Sequence, residues 1–375
     1  MSTQPTSRQG WTTPAVACDV AAVADVRGAA AGRLASIDTL RALAIAGVVV
    51  FHADAHLDAR IPILHASGGL LGVQLFFLVS GYLISASARE HRLGAYVLHR
   101  LFRIYPAYWT ALLAVTALRH HWPATADDLP WFALTYLGLS HLNAYALLRY
   151  DVLGISWTLT VELAWYALAP LLVWAAGRRE PAWGLLLVPF AALSTLWVWT
   201  ADRGWLDWWV GGFDRLGLLP LAPMVRFVFV TNQFPAHLAL FILGAAIRTH
   251  ETRLARWPTP LLVAGLILLA GAPHVVDRWL GIKPSLVSGL GMAALVLLAL
   301  RGAVPSSAAA GWVGRLSYPI FLLHVPVMQW VYGPLGMDGA AGFLASLALV
   351  VPPAWALHGL VEQPGIRLGR RLAGS

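Results

Sequence analysis

Long apolar runs separated by short polar stretches constrain the fold of this chain more than any other feature. Runs of about 17 to 22 residues match the length that a helix needs to cross a bilayer. The sequence contains ten of them, at 38–56, 69–87, 105–121, 155–176, 183–201, 234–249, 260–276, 285–300, 316–333 and 341–361. Only 12% of the residues are charged, about half the share of a soluble protein. The pattern argues against a soluble enzyme and predicts an all-α, polytopic membrane protein with about ten transmembrane helices.

Two further segments, 131–148 and 216–233, are apolar but interrupted by polar residues or by Pro220 and Pro223. If neither segment crosses the membrane, about two thirds of the basic residues fall on the cytoplasmic side, as the positive-inside rule favours. We therefore expect both to be re-entrant or interfacial, and both chain termini to be cytoplasmic. Non-helical backbone at membrane depth is tolerated where it lines a cavity, so these segments are candidate walls of a substrate vestibule.

The remaining sequence leaves no room for a second soluble domain. Residues 1–34, rich in Ala, Ser, Thr and Pro, are predicted to form a flexible cytoplasmic tail, and 35–370 a single transmembrane domain. The formal net charge is +8, but the basic residues are scattered between apolar runs. A nucleic-acid partner requires them clustered on one face, so we expect none. The single cysteine, Cys18, excludes an intramolecular disulfide.

Arg41 and His52 lie in the first predicted span, where an ionisable side chain costs about 2.5 to 3.5 kcal/mol and suggests a function. Eleven residues correspond to three helical turns plus about 20° and a rise of roughly 16 Å. Both side chains therefore face the same neighbour at different depths. The alternative is that Arg41 is an anchor at the cytoplasmic surface and His52 a packing residue.

Glu162 lies about six residues from the outer end of the fourth span, and His52 about four from the outer end of the first. At 1.5 Å per residue these depths are roughly 9 and 6 Å. We therefore expect the carboxylate to orient the imidazole and raise its basicity, so that it can take a proton from a hydroxyl group. The alternative is a structural glutamate bonded to Ser or Trp of a neighbouring helix.

Other histidines in the predicted spans allow further predictions. His52 and His56 have the i, i+4 spacing of metal ligands and lie beside Asp54, but no third ligand is evident, and we predict no metal. His324, in the middle of the ninth span, fits packing or an interhelical hydrogen bond as well as catalysis.

Arg100 and Arg103 are three residues apart on a predicted helix. This spacing places both guanidinium groups on one face, where they can bind phosphates through paired hydrogen bonds. The alternative is ordinary anchoring by positive residues on the cytoplasmic side.

These residues belong to a set of motifs that resembles the acyltransferase 3 family of integral-membrane O-acyltransferases, over about residues 35–370. The motifs are, in chain order, Leu40–Arg41 with His52, Gly72–Ile84, Arg100–Pro106, Ser156–Glu162 with Trp165 and Tyr166, Leu316–Tyr318 with His324–Pro326, and Val361–Pro364. Gln74 stands where an acidic residue is frequent in the family, and Gln363 where an arginine is usual.

The resemblance implies transfer of an acyl group, often acetyl from acetyl-CoA, to a hydroxyl of a cell-surface glycan, a lipid-linked sugar or a secondary metabolite at the bacterial inner membrane. It implies Arg41 and His52 as the essential pair, Glu162 as the motif carboxylate, and Arg100 with Arg103 as contacts for the CoA phosphates. His52 could be the general base or could itself be acylated. Substrate-binding or supporting roles are expected for Ser80, Tyr82, Tyr105, Ser156, Trp157 and His324.

A proton-coupled transporter or flippase is the competing function. Its intramembrane His, Glu and Arg residues would form a proton relay. That class is typically built from two repeated halves with paired broken helices, and the sequence contains no internal repeat. A non-catalytic scaffold would leave His52 and Glu162 without a role.

Overall fold

The computed structural model describes residues 20–61, 68–176, 181–267 and 285–374, and within these ranges every regular element is helical. The all-α prediction is confirmed. The helices are α1 (Val20–Leu57), α2 (Gly68–Glu90), α3 (Leu93–Leu118), α4 (Leu129–Tyr136), α5 (Ala144–Tyr150), α6 (Ser156–Ala176), α7 (Trp183–Asp202), α8 (Phe234–Leu254), α9 (Ser285–Leu300), α10 (Ala308–Tyr332), α11 (Gly339–Leu357) and α12 (Gln363–Ala373).

Shorter helical pieces connect these elements. There are 3₁₀ turns at Ala126–Asp128, Ser140–Leu142, Asp207–Trp209 and Asp214–Leu216, a turn of α-helix at Pro223–Val225, π-helical turns at Arg226–Thr231 and His358–Glu362, and a helical segment over 259–267. α1 begins at Val20, so it includes residues 20–34 of the segment predicted as a tail. Residues 1–19 lie outside the described ranges.

Several helices are long and apolar enough to cross a membrane, which makes this a multi-pass membrane protein. In the described ranges there are six, Gly32–Leu57, Leu71–Glu90, Leu93–Leu118, Ser156–Ala176, Trp183–Asp202 and Gly339–Ala373. A seventh is present if Pro223–Thr231 and α8, which meet at a bend of 49°, form one span.

The expected count of ten spans is not confirmed. α9 has 16 residues, fewer than the usual spanning length. α10 has 25 residues but does not reach the same mean hydropathy over a spanning length. The predicted span 260–276 lies partly outside the described residues.

Two glycines bring α2 and α8 into backbone contact. A Cβ atom at Gly81 would lie 2.1 Å from the carbonyl oxygen of Phe241, and one at Gly244 would lie 2.0 Å from that of Leu78. Small residues at helix crossings are typical of membrane bundles, because they let backbones approach closely. Nearer the start of α2, the side-chain oxygen of Gln74 accepts a hydrogen bond from the Ser288 hydroxyl at 2.7 Å.

The chain between α3 and α6 folds back against α3. α4 has eight residues and α5 seven, so each is roughly 12 Å long or less and too short to span. The segment 131–148 therefore does not cross as one helix. The Tyr105 hydroxyl donates to the carbonyl oxygen of Leu137 at 2.8 Å, and the Tyr108 hydroxyl lies 3.4 Å from that of Ser156. α6 thus begins beside the middle of α3.

Asp151 fixes the start of α6. Its carboxylate accepts hydrogen bonds from the Ser156 hydroxyl at 2.7 Å and the Ser156 backbone N–H at 2.8 Å. The backbone N–H groups of Leu153 and Gly154 donate to it as well. Four donors on one carboxylate hold this turn within the bundle, where unpaired backbone groups are costly.

Candidate active site

A cavity of about 120 Å³, here called the arginine cavity, lies between α1, α2, α3, α6 and α10. Its lining combines three guanidinium groups with one carboxylate and several hydroxyl groups. The polar lining residues are Arg41, Ser80, Arg100, Arg103, Thr158, Glu162, Tyr166, Ser317 and Tyr318. Five of the residues selected from the sequence, on four different helices, therefore meet at one place.

Glu162 is anchored on one edge of this cavity. The same carboxylate oxygen accepts two hydrogen bonds, from the Ser80 hydroxyl and from the Tyr166 hydroxyl, each at 2.8 Å. The carboxylate also lies close enough to Arg41 for a favourable electrostatic interaction. Glu162 thus holds α2 against α6 and supplies negative charge beside the arginines.

The arginines retain unused hydrogen-bonding capacity. Within the described part of the chain, the Arg41 and Arg103 side chains make no hydrogen bond or ion pair at contact distance, and the two cations repel each other. Arg100 donates one hydrogen bond to the Ser87 hydroxyl at 3.2 Å, while its Nε is buried without a partner. Guanidinium groups arranged in this way suit a phosphate ligand, which accepts several charge-assisted hydrogen bonds.

A second cavity, of about 790 Å³ and here called the histidine cavity, contains His52. Its polar lining residues are His52, Asp151, Trp157, Thr158, Asp202, Arg226 and Asn232. Four residues, Val73, Ile155, Thr158 and Phe321, line both cavities. These four form a shared wall between a compartment rich in arginine and one that contains an imidazole.

The structure does not bring His52 and Glu162 together. His52 lines the histidine cavity and Glu162 the arginine cavity. The expected pairing assumed that α6 begins at the membrane surface, whereas it begins beside Tyr108 in the middle of α3. Six residues farther along α6, or roughly 9 Å, Glu162 reaches the level of the arginines.

The partner of His52 is His324 of α10, and their hydrogen bonds define a tautomer for each ring. The Nδ1 atom of His324 lies 2.8 Å from the carbonyl oxygen of Phe321 and 3.1 Å from that of Ile320. A carbonyl oxygen only accepts, so this nitrogen carries the proton and Nε2 is an acceptor.

Nδ1 of His52 lies 3.2 Å from that acceptor and 2.9 Å from the carbonyl oxygen of Val48. It therefore donates, which leaves Nε2 of His52 with a free lone pair. An imidazole held in this tautomer is prepared to accept a proton.

Of the other residues selected from the sequence, some line a cavity and some pack between helices. Trp157 lines the histidine cavity. Tyr82 donates a hydrogen bond to Glu251 at 2.6 Å, Tyr105 to a backbone carbonyl, and Ser156 to the carboxylate at the start of α6. These three residues, Tyr82, Tyr105 and Ser156, line neither cavity. They stabilise the packing of the surrounding helices.

Comparisons with known proteins show the family of this chain. A family described as an acyltransferase domain matches residues 34–359. This chain belongs to the acyltransferase 3 family.

Three relatives illustrate the match of this acyltransferase to known proteins. A Komagataeibacter xylinus protein, named as a candidate membrane-bound transacylase, BcsY, is 26% identical over 360 residues, covering 89% of this chain and 83% of its own. Acyltransferase MdmB of Streptomyces mycarofaciens is 25% identical over 384 residues, covering 90% and 93%. A candidate O-acetyltransferase of Staphylococcus aureus strain COL is 34% identical over 86 residues, covering 21% and 13%. No solved structure matches the chain.

Several polar residues at this site were not predicted from the sequence, and Tyr166 and Glu362 are two of them. Tyr166 lies four residues after Glu162 and thus on the same helix face, a signal that sequence analysis could have used. Glu362, at the end of the second π-helical turn, interacts electrostatically with Arg41 and accepts a hydrogen bond from His358 at 2.6 Å. Glu362 belongs to the motif Val361–Pro364, but nothing local in the sequence indicates that this distant segment returns to α1.

Across the ranges that the structure describes, no three His, Cys, Asp or Glu side chains are grouped so as to hold a metal ion. His52 and His56 stack with ring centroids 6.0 Å apart.

Proposed function

We propose that this protein transfers an acyl group, typically acetyl, from acyl-CoA to a hydroxyl group of an acceptor. The observation that carries the proposal is the pair of cavities with a common wall, one rich in guanidinium groups and the other containing an imidazole with a free lone pair. An anionic donor needs positive charge, and a hydroxyl-bearing acceptor needs a base. The arginine cavity offers the first and the histidine cavity the second.

The donor occupies the arginine cavity. Arg41, Arg100 and Arg103 bind the phosphates of CoA, and Glu162 keeps the guanidinium groups in place. Along α1, Arg41 and His52 are about 16 Å apart, so the pantetheine arm extends from the phosphates toward the wall. The cavity volume of about 120 Å³ accommodates only part of acyl-CoA, and the nucleotide remains at the cavity mouth.

His52 acts as the general base. Its Nε2 takes the proton of the acceptor hydroxyl while the hydroxyl oxygen attacks the thioester carbonyl. The carbon–sulfur bond then breaks, and the CoA thiolate recovers the proton from His52 to leave as CoA thiol. If Nε2 of His52 instead attacks the thioester carbonyl, the carbon–sulfur bond breaks, CoA thiolate leaves and an acyl-imidazole forms first. The acceptor hydroxyl then takes the acyl group from the imidazole, and its proton passes to the CoA thiolate. Mass spectrometry of protein incubated with acetyl-CoA alone separates these routes, because only the second adds an acetyl group to the peptide containing His52.

We place the protein in the cytoplasmic membrane of a bacterium with both termini in the cytoplasm. Basic residues concentrate near the end of α3 that carries the arginine cavity, since α12 packs there through Gly365 and Gly369. They are Arg89, Arg92, Arg100, Arg103, Arg367, Arg370 and Arg371. The positive-inside rule favours the cytoplasm for this end, which is also where acyl-CoA is available.

For the acceptor we propose a cell-surface glycan, a lipid-linked sugar or a secondary metabolite. Support for transfer to oxygen comes from the Staphylococcus aureus relative, whose name describes an O-acetyltransferase. Modification of a polysaccharide is then the expected outcome when the acceptor is a glycan.

Purified protein incubated with radiolabelled acetyl-CoA and a panel of sugars tests the proposal, with CoA release and labelled product as readouts. We expect His52→Ala to lower the rate at least about a hundredfold, the usual contribution of a general base. His56→Ala is the matched control, because His56 lies one turn farther along α1 and lines neither cavity. Normal turnover by His52→Ala would overturn the mechanism.

A further inference from the structure

We infer that four tryptophans at the C-terminal end of α7 lie in the headgroup layer of the membrane, and that the opening of the histidine cavity lies at the same depth. The four, here called the tryptophan patch, are Trp199, Trp205, Trp208 and Trp209. The partner of this surface is the lipid layer itself. The inference needs only the transmembrane fold and does not depend on acyl transfer.

The tryptophan patch is a continuous aromatic surface. The rings of Trp199 and Trp205 have centroids 5.2 Å apart, and those of Trp208 and Trp209 are 5.8 Å apart. The indole N–H of Trp208 donates a hydrogen bond to the carbonyl oxygen of Trp205 at 3.0 Å, which joins the two pairs. The exposed fraction rises from 39% for Trp199 to 74% for Trp208. Exposed apolar surfaces of this kind are typical of sites that contact a membrane or another protein.

The segment that carries the patch is packed firmly on its other side. Val210, Phe213 and Leu221 are buried there in one apolar cluster. The indole N–H of Trp197 donates to a backbone carbonyl oxygen at 2.9 Å, and its ring lies 5.3 Å from that of Trp209. The tryptophans are therefore presented outward from a rigid base.

The position of the patch on α7 identifies the membrane as its partner. Of the six spanning helices in the described ranges, α7 is the least buried, with 17% of its most apolar stretch inside the protein. Leu185, Val188 and Leu196 of this helix are exposed, so they face lipid. The patch begins at Trp199, in the last turn of α7, where the hydrocarbon core meets the headgroups. Tryptophan is enriched at this boundary because it combines an apolar ring with a hydrogen-bond donor.

A positive charge accompanies the tryptophans. The guanidinium carbon of Arg203 lies 3.8 Å from the centroid of the Trp199 ring, and one Nη donates a hydrogen bond to the carbonyl oxygen of Trp199 at 2.9 Å. Arginines near the ends of transmembrane helices place their charge at the membrane surface. Indole rings beside a guanidinium group match a layer in which acyl chains meet lipid phosphates.

An ion pair connects the patch to the histidine cavity. Asp207 lies between Trp205 and Trp208 in the chain, and its two carboxylate oxygens lie 3.2 and 3.0 Å from Nε of Arg226. Arg226 lines the histidine cavity, as does Met224. Because Met224 is 70% exposed, it lies at the opening of this cavity. The ion pair therefore fixes the depth of the opening relative to the tryptophans.

Depth-dependent fluorescence quenching tests the inference. Cys18→Ser removes the single native cysteine, and one new cysteine in the full-length protein then carries a fluorophore. Trp208→Cys places the label in the patch, and Leu193→Cys, at an exposed position of α7, is the matched control. Each protein is reconstituted into phosphatidylcholine vesicles with a nitroxide quencher on the lipid headgroup or in the middle of the acyl chain. Iodide in the buffer reports exposure to water.

We expect the label at Trp208→Cys to lie within about 5 to 10 Å of the boundary between headgroups and acyl chains. The headgroup nitroxide should therefore quench it most. Leu193 precedes Trp199 by six residues, so the control label should lie roughly 9 Å deeper and be quenched most by the acyl-chain nitroxide. Met224→Cys should report the same depth as Trp208→Cys. Trp205→Cys repeats the measurement if Trp208→Cys is unstable.

Strong quenching of the patch labels by iodide, with little quenching by either lipid, would overturn the inference. The patch would then face water and suit a soluble glycan or protein. A patch label as deep as the Leu193→Cys label would overturn it as well, because the segment would be part of the span. Headgroup depth at Trp208→Cys with quenching of Met224→Cys by iodide alone would refute the depth inferred for the cavity opening.

Discussion

Replacement of His324 by phenylalanine tests whether this residue positions His52, the proposed general base. The substitution keeps an aromatic ring in α10 but removes the acceptor for the Nδ1 proton of His52. That proton retains its second acceptor, the carbonyl oxygen of Val48 at 2.9 Å. The lost interaction is therefore one hydrogen bond, at 3.2 Å, with a net value of about 0.5 to 1.5 kcal/mol.

This free energy corresponds to a reduction in kcat of roughly two- to thirteenfold. Loss of His52 itself should reduce it at least about a hundredfold. Because His324 lines neither cavity, the KM values for acetyl-CoA and for the acceptor should stay unchanged. His324→Gln, whose side-chain oxygen can still accept a hydrogen bond, should retain more activity than His324→Phe.

Steady-state CoA release measures kcat and KM for each variant, and thermal unfolding in detergent identifies variants that are simply unstable. An unchanged kcat in a well-folded His324→Phe protein would refute the positioning role. A loss as large as that of His52→Ala would refute it differently, because His324 would then be the base itself.

Three further predictions follow from the packing and the charges. Arg103→Gln should raise the KM for acetyl-CoA at least about tenfold, since a hydrogen bond to a charged group contributes about 1.5 to 3 kcal/mol. Arg119→Gln, at the far end of α3, should leave this KM unchanged. Initial rates over a range of acetyl-CoA concentrations test both variants. Gly81→Ala should lower the free energy of unfolding by about 1 to 3 kcal/mol, because its Cβ atom would lie 2.1 Å from a carbonyl oxygen of α8. Gly94→Ala, with no atom within 4 Å of the new Cβ, should be neutral or slightly stabilising, as denaturant titration would show. Asp151→Ala should cost about 1 to 3 kcal/mol by leaving buried donors unpaired, and equal stability of this variant and wild type would contradict the role given to this carboxylate.

Much of the helical architecture could be predicted from the sequence, because long apolar runs have few other folds available in a membrane. The depth at which each side chain lies in the membrane was harder to predict. Counting residues inward from the end of each run assumes that every helix begins at the membrane surface, and α6 does not. Its starting point depends on hydrogen bonds from Tyr105 and Tyr108 to a segment that folds back against α3, and no local pattern reports such contacts.

The candidate site was likewise predictable only in part from the sequence. Helical spacing places Arg41 and His52 on one side of α1, and in the structure they line cavities that share a wall. The association of Arg100 and Arg103 with Glu162 and Arg41 also agrees with the motifs. The contact between His52 and His324 could not be predicted, because it depends on how α1 packs against α10, more than 270 positions away in the chain.

The shared wall also couples the volumes on its two sides. Both cavities are lined by Val73, Ile155, Thr158 and Phe321. A large ligand in one cavity that displaces Phe321 therefore reduces the space for the ligand in the other cavity. Densely packed interiors rarely absorb such a movement without compensation. Bulky acceptors at high concentration should therefore slow the reaction by hindering entry of the thioester, an inhibition that a longer acyl chain would intensify.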